Sequence, residues 1–467
     1  MAVSFACGSG SALDRRGSVT KTTTFAFAVL AALVSRTVGA DPIALTGVRL
    51  IDGAGDPPVP NATVIVDGGR ITAAGAGVVI PRGAQRRNYA GRTVIPGLIS
   101  DHSHVGQVGG TQDGAENYTR SNIMSQLQQY RRYGVTTIVA LGLNGPIFET
   151  IRAEAHAGMI GGADLFGVDR GIGVPEGGPP QATLKLAPDQ LYRPTTPQEA
   201  REDIRRMAAR RTDLVKLWLD DFGGSAPKMK PEIYTAVIDE SHKLGLRVAA
   251  HIHDLADAEA VVAAGADILA HGVRDQEVPV EFIATLKQRG TWYIPTLSLD
   301  ESTFAWADQA PWTRAAFARA ALSRPLAREI DDPAWRASIE HAKETAEARH
   351  ALEINLRNLK PLYDAGVRIG FGTDSGAVAL RVPGIAEHRE LALMVQAGLT
   401  PMQALTIATR DAAALLGRRD RGILSAGRRA DFIVLGSDPS INIAAIDDIV
   451  EVWDAGRIVP GPLLQRK

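Results

Sequence analysis

A chain of 467 residues, 45% hydrophobic and 22% charged, can bury a large core, which excludes a disordered or fibrous protein. Its 51 basic residues offset 52 acidic ones, and the formal charge of −1 excludes a global field for nucleic acid or anionic lipid, leaving a small molecule as the expected partner. The single cysteine, Cys7, excludes an intramolecular disulfide and any cysteine-based zinc site, so a metal would rest on His, Asp, Glu or a modified Lys.

At the start of the chain, Arg15, Arg16 and Lys21 precede the apolar run FAFAVLAALV (25–34), and VGA (38–40) places small residues before Asp41. This predicts a signal peptide over residues 1–40, whose apolar run is well short of the ~20 residues of a spanning helix. The arginine pair also admits a twin-arginine export route. The expected mature chain is exported, periplasmic or secreted, and free of the membrane after cleavage; a frayed cytosolic tail is the alternative.

Residues 43–95 alternate short β-branched runs with Asp-Gly and Gly-Gly turns, which predicts a small all-β unit. From about 98 to 415 apolar strands alternate with helical segments such as 231–245 and 255–267. Eight strand candidates are GLISDH, TTIVAL (136–141), DLFGVD (164–169), LVKLWL (214–219), RVAAHI (247–252), DILAHG (267–272), WYIPTL (292–297) and RIGFGTD (368–374). Eight such units predict an α/β fold, a (β/α)8 TIM barrel over residues 98–415. The tail, ADFIVLGSDP then IVEVWDAGRIV, returns to hairpin strands. Residues 41–97 and 416–467 are therefore expected to form one composite β-sandwich domain beside the barrel.

Barrel chemistry gathers at the carboxyl ends of the strands, because only the loops on that face vary freely over a packed interior. The metal-capable residues sit there: His102 and His104 close the first strand, Lys216 lies on the fourth, His251 ends the fifth, His271 the sixth and Asp374 the eighth. His102 and His104 are one residue apart on an extended segment, so both side chains face one side. Singly, each has a bland reading: a loop pair, a snorkelling lysine, core histidines, a turn aspartate.

In order, VIPGLISDHSHVG, DLVKLWLDD, LRVAAHIHD, ADILAHG, GFGTDSG and GILSAGRRADFIVL give a chain that resembles the amidohydrolase superfamily over residues 43–455. The likeness is to binuclear-metal, carboxylated-lysine members of the imidazolonepropionase and dipeptidase kind. The resemblance implies that His102, His104 and Asp374 bind the more buried of two divalent ions, His251 and His271 the more exposed one, and that Lys216 bridges both as a carbamate made from CO2. A neutral amine is needed for that addition, and Val215, Leu217 and Trp218 are compatible with shelter. It further implies a bridging hydroxide as nucleophile, with Asp374 shuttling its proton to the leaving nitrogen. His and carboxylate ligands suit Zn2+ first, with Mn2+, Co2+ or Fe2+ open.

Two positions depart from the family pattern. Members commonly carry an aspartate two residues before the first histidine, where this chain has Ser100, with Asp101 one position late. Dipeptidase-like members often carry Gly-Gly-His-Gly after the third strand, where this chain reads GVPEGGPPQA (173–182).

Substrate contacts are expected from other strand-end residues. His253 either contacts the substrate, at an oxyanion or carboxylate, or orients a neighbour. Arg170 and Arg274 either bind a carboxylate or pair with Asp169, Asp275 or Glu277, structural pairing being preferred. Asp220 and Asp221 either attract a cation or build a turn. Of Phe304, Trp306, Trp312, Phe317 and Trp335, in the long segment before the eighth strand, most are expected to pack extra helices and one or two to reach the mouth. The expected activity is metal-dependent hydrolysis of an amide-type C–N bond in a dipeptide, N-acyl amino acid or cyclic amide. The alternatives are an esterase, lactonase or phosphotriesterase on the same metals, or a non-catalytic metal-binding protein. A homo-oligomer is compatible with the sequence.

Overall fold

The computed structural model describes residues 41–463, so the signal-peptide reading lies outside the described residues. The N-terminal stretch forms β1 (Ile43–Leu50), β2 (Val59–Asp67), β3 (Arg70–Gly75), β4 (Gln85–Asn88) and β5 (Thr93–Pro96). The middle adds β6 (Leu98–Ser103), a small hairpin of β7 (Val108–Gly109) and β8 (Gln112–Asp113), then β9 (Val135–Ala140), β10 (Asp164–Gly167) and β11 (Val215–Trp218). It continues with β12 (Val248–His251), β13 (Ile268–Ala270), β14 (Trp292–Ile294) and β15 (Arg368–Ile369), and the tail supplies β16 (Phe432–Leu435), β17 (Ile449–Asp454) and β18 (Arg457–Pro460).

The eight expected inner strands are β6 and β9 to β15, alternating with helices in a fold of TIM-barrel type. Residues of β6, β9, β10 and β11 are buried without exception. Parallel strands covered on both faces lose the two-residue alternation and read as apolar runs bounded by turns, which is why they were visible in the sequence. They pair in parallel as β10-β9-β6 and as β11-β12-β13-β14-β15. Hydrogen bonds run between these sheets at both seams. Ile172 N donates to Lys216 O (2.8 Å) on one side, and Thr373 N to His102 O (2.9 Å) and His104 N to Ser375 O (2.7 Å) on the other. At the second seam Gly372 is required, since a Cβ there would stand 2.6 Å from the Cβ of His102.

Three expected boundaries shift. The helix read over 255–267 ends at Ala264, because Gly265 takes a left-handed φ of 109° and caps it. The strand read over 292–297 stops at Ile294, and Leu297 begins a helix, Leu297–Phe304. Of 368–374 only Arg368–Ile369 is regular strand, the rest bending across to β6.

Both ends of the chain meet in one eight-stranded sheet, β18-β17-β16-β5-β1-β2-β3, with β4 on β1. Alternate residues of β16 serve different cores. Ile433 and Leu435 join the core that includes the barrel, while Phe432 and Val434 join Leu45, Val64 and Trp453 in a second one. Arg421, buried, holds Asp164 at the foot of β10 (2.8 Å) and Thr137 of β9 (2.8 Å), tying the returning tail to the barrel.

Candidate metal centre

His102, His104, Lys216, His251, His271 and Asp374 all line one cavity of about 640 Å³ at the carboxyl ends of the inner strands. Ligand atoms of His102, His271 and Asp374 lie within 4.8 Å of one another. Asp374 Oδ1 is 3.1 Å from His102 Nε2 and 2.9 Å from His104 Nε2. The ring of His271 stands 4.6 Å from that of His102 and 4.5 Å from that of His251, so it faces both halves of the expected ligand set.

Each of three histidines has one ring nitrogen committed to an orienting partner, which leaves the other to face the cavity. His104 Nδ1 is 3.2 Å from Gly142 O, His271 Nδ1 is 2.9 Å from Thr296 Oγ1, and His251 Nε2 is 3.1 Å from Asp220 Oδ2. His102 Nδ1 is buried with no hydrogen-bond partner among the described residues. An unpaired buried imidazole nitrogen is unfavourable by itself, and it is consistent with a site built for ions.

Three non-glycine residues at these strand ends have left-handed backbones: His271 (φ 86°), Thr296 (φ 48°) and Asp374 (φ 58°). Such strain persists where surroundings over-determine it, and it clusters at functional sites. Here it turns the ligand-bearing residue of the sixth and eighth strands, and the partner of His271, into the mouth.

Burial decides the protonation states. It pushes the Lys216 amine down to about 7, the charge of Asp374 pulling weakly the other way. It lowers His102 to about 3, helped by Lys216, and His251 to about 4 despite Asp220. His271 falls well below its ordinary value through burial and its two histidine neighbours. His102, His251 and His271 are thus neutral, the form that ligates. For Asp374 burial acts upward, but Arg381, His102 and His104 outweigh it and hold the carboxyl well below its usual range. Arg381 ion-pairs with Asp374 Oδ2.

The other expected contacts divide. His253 lines the cavity, with Nδ1 on Asp254 (2.8 Å). Arg274 lines it and pairs with Asp300 (3.1 Å), not with Asp275 or Glu277. Arg170 is a correction: it does not line the cavity, its guanidinium lies 5.0 Å from the Tyr192 ring, and Asp169 is taken instead by Arg210 (2.8 Å). None of the five aromatics before the eighth strand lines the cavity either; Trp306 and Phe317 are core residues and Phe304, Trp312 and Trp335 pack against that core. Asp220 builds the expected turn, its Oδ1 accepting from Phe222 N (2.8 Å), and through Oδ2 it also orients His251 (3.1 Å).

Ser100 donates to Glu387 Oε1 (3.2 Å), and Ser103 donates to Ser100 (2.8 Å). Asp101 does not take the place of the missing aspartate: both its oxygens are buried without partners among the described residues, and burial pushes its carboxyl well up. Thr296, Asp300 and Glu387 gave no signal in the sequence, because each is defined by a neighbour 25 or more positions away, and Arg381 gave none although Asp374 is seven residues before it.

A family model described as the amidohydrolase family matches residues 93–461. An imidazolonepropionase from Deinococcus deserti is 40% identical over 99 residues, 20% of this chain and 24% of its own length. An ochratoxinase from Aspergillus niger is 24% identical over 278 residues, 57% of this chain and 50% of its own. The chain thus matches from a quarter to half the length of these two curated relatives. A Bifidobacterium longum protein solved as a candidate prolidase superposes with a TM-score of 0.71 at 26% identity, covering 91% of this chain and 96% of that one.

Proposed function

The chain belongs to the amidohydrolase family, and from that premise we propose that it is a metal-dependent hydrolase of an amide-type C–N bond, in a dipeptide, N-acyl amino acid or cyclic amide. The observation that carries the reading is the convergence of six ligand-capable side chains from five strands on one cavity, three of them oriented by buried partners. The names of the relatives, an imidazolonepropionase and an ochratoxinase, support hydrolysis of a small molecule.

In this reading the two parallel sheets are one closed (β/α)8 barrel, the end sheet is a composite β-sandwich beside it, and the chain is exported and compatible with a homo-oligomer. His102, His104 and Asp374 would hold one divalent ion and His251 and His271 a second, with Lys216 serving both, Zn2+ being preferred. When bound, the two ions supply a water activated at neutral pH and polarise the carbonyl oxygen. The Lys216 amine attacks the carbon of CO2; a C–N bond forms, a proton leaves, and the resulting carbamate offers two anionic oxygens. A fully buried amine with a pKa of about 7 is the state that makes this addition accessible.

Asp374 accepts the proton of the attacking water and returns it to the leaving nitrogen as the C–N bond breaks. Arg381 keeps that carboxylate ionised and oriented between turnovers. His253 presents its ring to the cavity while Asp254 fixes its Nδ1, which suits a contact to the substrate's developing oxyanion.

The test is metal analysis followed by a panel of N-acyl amino acids, dipeptides, cyclic amides and esters on the metal-loaded protein. Close to two tightly bound divalent ions per chain and chelator-sensitive amide cleavage are expected. Fewer than about one ion per chain refutes the metal reading. Ester cleavage without amide cleavage moves the assignment to an esterase or lactonase.

A further inference from the structure

The two sides of the cavity differ in kind. On the side of the second, third and fourth inner strands, Leu143, Leu186 and Trp218, with Leu184, form an apolar cluster separate from the main cores, and Phe222 stacks on His251 beside it. Of the acidic residues lining the cavity, Asp220 is held by His251 (3.1 Å) and Asp221 by Lys228 (3.5 Å), while Asp113 Oδ1 is buried without a hydrogen-bond partner among the described residues. On the side of the sixth, seventh and eighth strands stand Arg274, Asp300 and Arg381.

This second side is polar, buried and incompletely paired. The side chains of Arg274 and Asp300 are each 6% exposed and meet through a single contact, Nη1 to Oδ1 at 3.1 Å. Arg274 Nε, Asp300 Oδ2 and Arg381 Nε are buried without hydrogen-bond partners among the described residues. Asp300 lies in the field of Arg274, Arg381 and His253 together. The other partner of Arg381, Asp374, belongs to the proposed metal site. A guanidinium with unused buried donors is unfavourable until an acceptor arrives, and a carboxylate matches its planar fork.

We propose that Arg274 and Arg381 form a carboxylate subsite, and that the substrates are N-acyl amino acids with an uncharged, apolar acyl group. The orientation follows from Asp374, which rests on the amide-hydrolase reading. The group that returns a proton to the leaving nitrogen touches Arg381, so the amine half extends toward the arginines and its carboxylate falls within their reach. The acyl half then lies against Leu184, Leu186 and Phe222. A dipeptide would set its ammonium against that apolar wall, and a neutral cyclic amide would leave both arginines unsatisfied.

The experiment compares kcat/KM on the metal-loaded enzyme for an N-acyl amino acid and for the same molecule with its carboxylate replaced by a carboxamide. A preference of about 100-fold for the free carboxylate is expected, since a site of buried polar groups rejects the analogue that leaves them unpaired. Arg274→Met should reduce the preference to a few-fold, mainly through KM for the acid, with the carboxamide little changed. Arg381→Met, which also releases Asp374 and so should slow both substrates, serves through its binding readout as a second variant should the first fail to fold. Calorimetric titration of an N-alkyl amino acid into the metal-free protein, with at least a ten-fold loss in each variant, gives a readout independent of turnover. Equal rates for acid and carboxamide overturn the subsite and leave amide hydrolysis standing. Cleavage of neither amide, with esters turned over, overturns the reading beneath it.

Discussion

Glu387 offers a decisive perturbation, because a buried carboxylate in the helix Ile385–Gln396 gathers the two strands that carry His102, His104 and Asp374. Its Oε1 accepts from Ser100 (3.2 Å), Thr373 (2.7 Å) and Ser375 (2.6 Å), and its Oε2 accepts from the backbone N–H of Gly384 (2.8 Å). Ser100 and Ser103 flank His102, while Thr373 and Ser375 flank Asp374. Glu387→Gln keeps the shape but turns one acceptor into a donor, so either Gly384 N–H or a hydroxyl loses its partner and the charge assistance of the rest is lost. Leaving one buried donor unsatisfied costs about 1–3 kcal/mol, and Glu387→Leu, which strips all four, should lose roughly 3–5 kcal/mol. Positions that orient ligands typically change metal affinity by about 10–100-fold, and the Gln variant should fall in that range. Urea unfolding of the metal-free protein measures the first effect, and chelator competition measures the second. A control in the end sheet, Val434→Ala, loses on the order of 2 kcal/mol of packing and should leave metal affinity alone. Glu387→Gln with unchanged unfolding and unchanged metal affinity would refute the reasoning.

Further outcomes can be measured independently. Asp374→Asn should fold and lose about 10²–10⁴-fold in turnover on an amide substrate, and retained turnover would remove it as the proton carrier. Asp220→Asn should weaken metal retention about 10–100-fold in a chelator titration through loss of the partner of His251, whereas Asp221→Asn should not. Glu390, fully buried, has its carboxyl pushed up to about 8, although it accepts from Leu297 N (2.9 Å) and Ser298 N (2.7 Å). A carboxyl raised on folding stabilises most below its unfolded value of about 4.3 and loses that contribution as pH rises through about 8. Wild type should therefore lose stability between about pH 5 and pH 8.5 relative to Glu390→Gln, by a few kcal/mol at most. Urea midpoints at the two pH values that differ equally, or in the opposite sense, would contradict that assignment.

The strands and the ligand positions were legible because they depend on local chemistry. Residues 135–140 and 215–218 are largely apolar, and 98–103 opens on an apolar pair, because a parallel strand covered by helices must bury both faces. His102, His104, Lys216, His251, His271 and Asp374 could be set at strand ends for the same reason. The left-handed backbones of His271, Thr296 and Asp374 were not legible, since nothing about His, Thr or Asp announces φ above zero. Arg170 and Arg274 looked alike in sequence, each after a strand and beside an aspartate. Only packing separated them, one against Tyr192 and the other into the cavity.

The sequence by itself determined the order of strands and helices, the donor types available to a metal and the face of the fold where they gather, because periodicity and side-chain chemistry act over a few residues. The tertiary structure alone decided which nitrogen of each histidine is held, that Asp220 and Thr296 do the holding, that Glu387 stands behind Ser100, and that the cavity is apolar on one side and arginine-bearing on the other. Those facts join residues separated by tens to hundreds of positions, and they come into being only when residues 373–375 hydrogen-bond to 102–104 and bring their loops over the same mouth.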